Sequence, residues 1–225
     1  MYFLPAERLR LYRNFKSIEV SDFHAVIHFY EQHEDAIRSL DFEEYLDCTL
    51  IYTDALYDAA DHGKHQVMCD HLLEVVIMQN VTQWGGEDLF HQLLFKKAAS
   101  FYYQQEYPKA EHILKEIIRI YPSDKLAALY LNKALLHQKP RWLFQARASM
   151  VGFAFLAVLV IALEILAVPQ FFPHLLEPMQ QAHQLFIALS LASLSLGEAG
   201  HSLRCWFQVR RFVRKAKANK QNQTA

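Results

Sequence analysis

The sequence contains few cysteines, which cross-link secreted domains, and few glycines and prolines, which interrupt helices. Its 225 residues include three cysteines, six glycines and seven prolines. Cys48, Cys69 and Cys205 are odd in number and lack the spacing of paired motifs, which excludes a disulfide framework and favours buried thiols in a reducing compartment. No run alternates polar and apolar residues as a half-buried strand does. We therefore predict an all-α protein.

Motifs of catalysis and metal binding are also missing. There is no glycine-rich phosphate loop, no Gly-x-Ser-x-Gly turn and no His-Glu-x-x-His pair. The densest group of metal-ligating residue types is His62, His65, Cys69 and His71. Helical spacing puts the first three on one face, but His71 points elsewhere and no second ligand pair follows. We predict no enzymatic activity, no catalytic residue, no metal site and no cofactor.

The first twenty residues lack the unbroken apolar core of a secretory signal, because Glu7, Arg8, Arg10, Arg13 and Lys16 interrupt them. We expect this part of the chain to stay in the compartment where it is made.

Charge divides the chain into two parts. Residues 1–138 contain 13 Lys and Arg against 21 Asp and Glu, whereas residues 139–225 contain 10 against 3. The total of −1 therefore hides an acidic part joined to a basic part.

Helical periodicity organises the acidic part. Residues 1–20 have no clean period and are interpreted as an N-terminal arm, in which Leu9, Leu11, Tyr12 and Phe15 would allow a short helix packed onto the next one. Residues 21–138 are predicted to form one helical domain, with helices at about 21–40, 42–60, 64–81, 88–104, 108–121 and 124–138. Gly63 is expected to break the chain after the second of these helices, and residues 82–86 form the best internal linker.

One stretch of this domain has a distinctive order of large and small residues. In LFKKAASFYYQQEYPKAEHILKEIIRIYP, two helices flank a tight turn, and small residues stand where helices must approach closely. This stretch resembles a tetratricopeptide repeat, although Lys97 replaces the leucine of that family and its first Trp is missing. An ordinary helical hairpin is the alternative. The residues that match the repeat's packing positions are Leu94, Ala98, Phe101, Ala110, Leu114, Ile117 and Pro122.

The resemblance implies a helical solenoid that binds a protein partner in its groove and has no catalytic apparatus. A weaker match, Leu46 to Met78, would supply a stacking neighbour. Acidic residues crowd the earlier helices, so we expect this face to prefer a basic partner segment and to repel nucleic acid. A merely solvated acidic face is the alternative. The predicted contact residues are Glu31, Glu34, Asp35, Glu43, Glu44, Asp47 and Asp54.

Two long apolar runs dominate the basic part. A bilayer core of about 30 Å needs roughly 20 apolar residues in a helix. Ala148 to Val168 meets this requirement, and Leu185 to Leu203 follows after a short connection. We predict a two-span transmembrane hairpin over residues 139–213, with spans at about 145–168 and 183–205. A basic disordered tail, residues 214–225, would follow it and touch membrane lipid.

Basic residues indicate how the hairpin is oriented. Lys139, Arg141 and Arg147 precede the first span, seven Lys and Arg follow Leu203, and the loop of residues 169–181 has none. The positive-inside rule then predicts an integral membrane protein with both termini in the cytoplasm, in the inner membrane if the source is bacterial.

Polar and small residues within the spans are compatible with two functions of the hairpin. Glu164, Glu198 and His201 are costly in hydrocarbon unless they are paired or hydrated. Small residues four apart in the second span, such as Ser193 and Gly197, favour close packing within the hairpin or between copies of the chain. Our leading hypothesis is a membrane-anchored adaptor or scaffold that tethers a protein partner. The alternative is a subunit of an oligomeric channel or transporter that the helical-repeat domain gates.

Overall fold

The computed structural model describes residues 5–166 and 176–224, and it is all-α apart from one small hairpin. Its elements are α1 (Pro5–Lys16), α2 (Phe23–Gln32), α3 (Glu34–Arg38), α4 (Phe42–Asp58), α5 (His62–Met78), β1 (Gln83–Trp84), β2 (Glu87–Asp88), α6 (Leu89–Tyr103), α7 (Tyr107–Ile120), α8 (Lys125–His137), α9 (Arg141–Leu166) and α10 (Leu176–Thr224). They form two compact units, Met1–Leu131 and Asn132–Ala225. The boundary lies within α8, seven residues before the predicted one.

The segment predicted as an arm forms α1 and belongs to the core of the first unit. Phe15 is 2% exposed and its ring lies 6.5 Å from that of Tyr30. Tyr30 in turn stacks on Tyr52, with ring centroids 4.0 Å apart, and its hydroxyl meets Thr49 Oγ1 at 3.1 Å. Only a few apolar residues of α1 pack into the core, too few to form the apolar periodicity by which a helix is predicted.

The predicted helix over 21–40 is divided in the structure. His33 leaves helical geometry with φ −117° and ψ 21°, and its Nδ1 donates to the carbonyl of Phe29 at 2.9 Å. The histidine side chain thus adds a second hydrogen bond to a carbonyl at the end of α2, which also accepts from the backbone N–H of His33. No Gly or Pro lies at this break, so the apolar periodicity continues across it and predicts a single helix.

Left-handed residues end several helices of the first unit. Ala60 has φ 58° after α4, whereas Gly63, the expected break, lies inside α5. Gly85 and Gly86, with φ 61° and 87°, make the tight turn between β1 and β2 within the predicted linker. Two successive positive φ values suit the turn of a two-residue hairpin. Asp88 then caps α6 by accepting from the amide of His91 at 2.9 Å.

The predicted repeat corresponds to α6 and α7, which pack against each other. Its small residues are buried at the contact, with Ala98 1% and Ala110 0% exposed, and Leu114 and Ile117 are buried with them. Leu94 and Phe101 are only half-buried, and Pro122 is buried just beyond α7. Leu46 to Met78 likewise covers the packed pair α4 and α5.

The second unit is built on the antiparallel contact of α9 with α10. A Cβ placed on Gly197 would lie 2.9 Å from the Cβ of Ala146, so the two backbones approach closely there. Residues 167–175, which include the end of the first predicted span and most of the loop, lie outside the described residues.

α10 is longer than the predicted second span. It continues to Thr224 through the segment expected to be disordered. Ala, Lys, Gln and Arg dominate that segment, and these residues have high helix propensity, so a helix already begun continues through them at little cost.

Candidate partner-binding face and apolar hairpin

The seven predicted acidic contact residues lie on three consecutive elements of the first unit. Glu31 belongs to α2, Glu34 and Asp35 to α3, and the other four to α4. All seven are exposed or half-buried. The structure therefore places them on the surface, but it divides them by their partners.

Four of the seven are neutralised within the chain. Lys64 donates to Glu31 at 2.7 Å, and this hydrogen bond lowers the pKa of Glu31 below its ordinary value. Glu34 pairs with Arg38 one turn later. A further two ion pairs join Asp47 to Lys16, at 2.8 Å, and Asp54 to Lys96.

Asp47 also accepts from the hydroxyl of Tyr12 at 2.9 Å, and burial together with this bond raises the pKa of Tyr12 to about 12. Asp47 thus helps to hold α1 on α4. Exposed pairs of this kind contribute at most about 1 kcal/mol each, but they reduce the charge offered to a partner. Three of these pairs join residues that are 31 to 42 positions apart, so no local pattern in the sequence predicts them.

Asp35, Glu43 and Glu44 remain without a salt bridge in the described part of the chain. Asp35 lines a cleft of about 420 Å³ between α1, α2 and α3. Glu7 and Arg8, which were not among the predicted contact residues, come from α1 to line the same cleft. The acidic surface without internal salt bridges is therefore smaller than the predicted contact face and lies around the start of α3 and of α4.

The histidines that resembled a metal cluster have separate contacts. His65 is fully buried, with Nδ1 2.8 Å from Ser100 Oγ and Nε2 3.4 Å from Cys69 Sγ. Burial lowers the pKa of His65 to about 4 and raises that of Cys69 to about 12, so both are neutral at pH 7. His71 meets the Tyr45 hydroxyl at 2.6 Å instead. Among the described residues, no three His, Cys, Asp or Glu side chains group as metal ligands would.

Polar side chains of the hairpin turn towards each other across α9 and α10. At one end, Arg147 of α9 donates to Glu198 of α10, with Nε 2.9 Å from Oε1. At the other end, the imidazole of His183 donates from Nδ1 to Glu164 at 2.9 Å. Glu164 and Glu198 thus each have a basic partner on the facing helix.

Hydroxyls and a second histidine complete this polar contact line. Ser193 Oγ lies 2.7 Å from Ser149 Oγ and donates to the carbonyl of Ala146. His201 is buried, and its Nε2 donates to the carbonyl of Leu136 at 3.2 Å. The predicted intramembrane polar residues are therefore all satisfied inside the second unit.

Apolar side chains cover the outside of the same hairpin. On α9, Phe155 is 67% and Val158 64% exposed, and on α10 Leu191 is 64% and Leu196 73% exposed. Within the described residues one helix, Arg141–Leu166, is long and apolar enough to cross a membrane. Glu198, His201 and several serines dilute the apolar character of the corresponding stretch of α10.

No family model, no curated protein and no solved structure matches the chain. The tetratricopeptide interpretation of Leu94 to Pro122 therefore rests on its own residues and stays a prediction.

Proposed function

We propose that the chain is a membrane-anchored adaptor: the first unit binds a protein partner, and α9 with α10 forms a two-span anchor. The observation that carries this proposal is the division of the hairpin surface, with apolar side chains outside and polar pairs between the helices. Contiguous apolar surface of this length is rare on proteins that stay in water. In hydrocarbon the same arrangement is favourable, because lipid solvates the outer face and the facing helix satisfies each polar group.

The basic residues support an orientation for this anchor. Arg141 and Arg147 lie near the start of α9, and Arg204, Arg210 and Arg211 lie on α10 beyond its apolar part. Both clusters belong to the same end of an antiparallel hairpin. By the positive-inside rule, that end and both termini face the cytoplasm.

The first unit supplies the partner-binding surface of the proposed adaptor. Asp35, Glu43 and Glu44 have no salt bridge in the described part of the chain, and the cleft beside Asp35 offers a concave contact. A basic segment of a protein partner fits this chemistry, whereas the phosphate backbone of a nucleic acid would be repelled. The proposed role includes no enzymatic step and no cofactor.

Membrane anchoring is tested by flotation of the purified chain with vesicles and by its resistance to alkaline carbonate extraction. Topology is tested with single cysteines at the exposed positions Ser17, Glu177 and Asn219 in intact cells. An impermeant maleimide should label only the cysteine at position 177. Extraction into carbonate, or labelling at position 17 or 219, would contradict the proposal.

Partner binding is tested by pull-down from membranes with the double variant Glu43→Lys/Glu44→Lys. We expect recovery of the partner to fall severalfold and to depend on salt, because exposed charge pairs are screened. The matched control, Glu19→Lys/Glu74→Lys, changes the net charge equally at exposed positions outside the predicted face. Equal recovery with both double variants would remove the acidic face from the proposal.

The channel or transporter alternative is favoured by the ionisable residues within the hairpin, Glu164, His183 and Glu198. Their pairing with each other or with Arg147 supports a closed anchor instead. Ion flux into liposomes that contain the purified chain separates the two functions. Robust flux that is lost in Glu198→Ala would favour the channel.

A further inference from the structure

The part of α10 beyond the apolar hairpin carries a strongly basic surface. From residue 199 to residue 225 the chain contains no Asp or Glu. His201, Cys205, Val209 and Ala216 are buried along this stretch. At 3.6 residues per turn these four share one side of the helix. The exposed cations that fall on the remaining sides are Arg204, Arg210, Arg211, Arg214, Lys215 and Lys217.

Two aromatic side chains lie near the start of this basic surface, after Arg204. Trp206 is 45% and Phe207 61% exposed, and they directly follow the apolar part of α10. Trp and other aromatic rings favour the depth at which hydrocarbon meets headgroups. The guanidinium of Arg210 lies over the Trp206 ring, with Cζ 4.9 Å from its centroid. This contact holds a positive charge beside the aromatic anchor.

Helix geometry ranks the cations by their distance from that boundary. The headgroup layer is about 5–8 Å thick on each side of the hydrocarbon. At about 1.5 Å per residue along the helix axis, Arg210 and Arg211 lie about 6–8 Å beyond Trp206. Lys215 and Lys217 lie about 14–17 Å beyond it. They are thus outside the headgroup layer, about 6–12 Å from its outer edge, a distance comparable with a Debye length of about 8–10 Å.

We propose that Arg210 and Arg211 bind the phosphate-bearing headgroups of anionic phospholipids at the cytoplasmic end of the hairpin. This inference rests on the proposed membrane anchoring and adds a lipid class and a site to it. Arg suits such a site because its planar guanidinium donates to phosphate oxygens in pairs. Continuity of the site with the apolar face of α10 favours a lipid over a soluble phosphate compound.

The test uses the full chain with Trp84→Phe and Trp142→Phe, so that Trp206 is the sole tryptophan. It is reconstituted into phosphatidylcholine vesicles in which brominated phosphatidylserine or brominated phosphatidylcholine replaces part of the lipid. Bromine quenches tryptophan on contact, so the ratio of the two quenching curves gives the preference for the anionic lipid. We expect the serine lipid to quench more strongly than the choline lipid at low salt. At about 0.5 M salt the two should quench equally, because the shorter Debye length screens the attraction between the cations and the anionic headgroups.

Two matched variants locate the site. Each basic residue near a membrane surface contributes about a fivefold preference for anionic lipid. Arg210→Gln/Arg211→Gln should lower the preference about tenfold or more, and Lys215→Gln/Lys217→Gln, with the same charge change, about threefold or less. Equal losses in the two variants, or no preference in the parent, would overturn the proposal. Displacement of the serine lipid by RNA at equal phosphate concentration would assign the surface to nucleic acid instead.

Flotation of each preparation keeps the two proposals separate. If the chain does not float with the vesicles, the anchor itself is wrong. If it floats but shows no anionic preference, only the headgroup site is wrong.

Discussion

Gly197→Ala is expected to force α9 and α10 apart. The added Cβ would lie 2.9 Å from Ala146 Cβ and 3.6 Å from Leu143 Cδ1. Carbon atoms in good contact are about 3.5–4.0 Å apart, so the two methyl groups would overlap by about 0.6 Å or more. Ala146 Cβ is attached to the helix backbone and cannot rotate away. The strain must therefore be relieved by movement of a whole helix.

Two opposing contributions determine the size of the effect. Overpacking of a tight contact costs about 1–3 kcal/mol, while replacing Gly by Ala within a helix gains up to about 1 kcal/mol. Gly200 lies one turn further along α10 and has no atom within 4 Å of a built Cβ. Gly200→Ala therefore keeps the gain without the strain. The two variants should differ by about 1–3 kcal/mol in the free energy of unfolding of the hairpin.

The assay is a titration of the purified chain with sodium dodecyl sulfate in mild-detergent micelles. Trp142 reports separation of the helices, because its ring lies 5.9 Å from that of His201 on α10. Trp84 and Trp206 are replaced by Phe so that only this ring fluoresces. Ala146→Gly should rescue Gly197→Ala by removing one of the two colliding methyl groups. Equal midpoints for Gly197→Ala and Gly200→Ala, or no rescue, would refute the close approach of the two helices.

Two further predictions concern the core of the first unit and the outer face of the hairpin. Burial lowers the pKa of His65 from 6.5 to about 4, so the unfolded chain takes up a proton in this range that the folded chain does not. The stability of the first unit should consequently fall as the pH drops from 6.5 to 4, and thermal melting should show a weaker fall in His65→Gln. Phe155→Lys should cost about 2.5–3.5 kcal/mol of membrane insertion and shift the chain into the carbonate-extractable fraction. Val67→Lys, at a similarly exposed position of α5, serves as its control and should leave extraction unchanged.

Much of the helical organisation was readable from local signals. The six helices predicted over residues 21–138 have counterparts whose ends differ by three residues or fewer, except where His33 divides the first of them. Pro122, Asp88 and the Gly85-Gly86 pair act on their own neighbours, so their effect can be inferred without knowing the fold. The prediction missed that α10 continues as a helix beyond Arg211. A composition rich in charged residues is typical both of disordered tails and of exposed helices.

The all-α class, the charge division and the long apolar run of α9 depend on residue type and spacing alone, so they could be predicted before the fold was known. Which carboxylates remain without a salt bridge depends on the fold, because Lys16, Lys64 and Lys96 pair with Asp47, Glu31 and Asp54 across separations that no local pattern encodes. It likewise distinguished Gly197, at a close approach, from Gly200 in open space. The physical reason is the same in both cases: pairing across helices depends on their packing distance and rotation, which the whole fold sets.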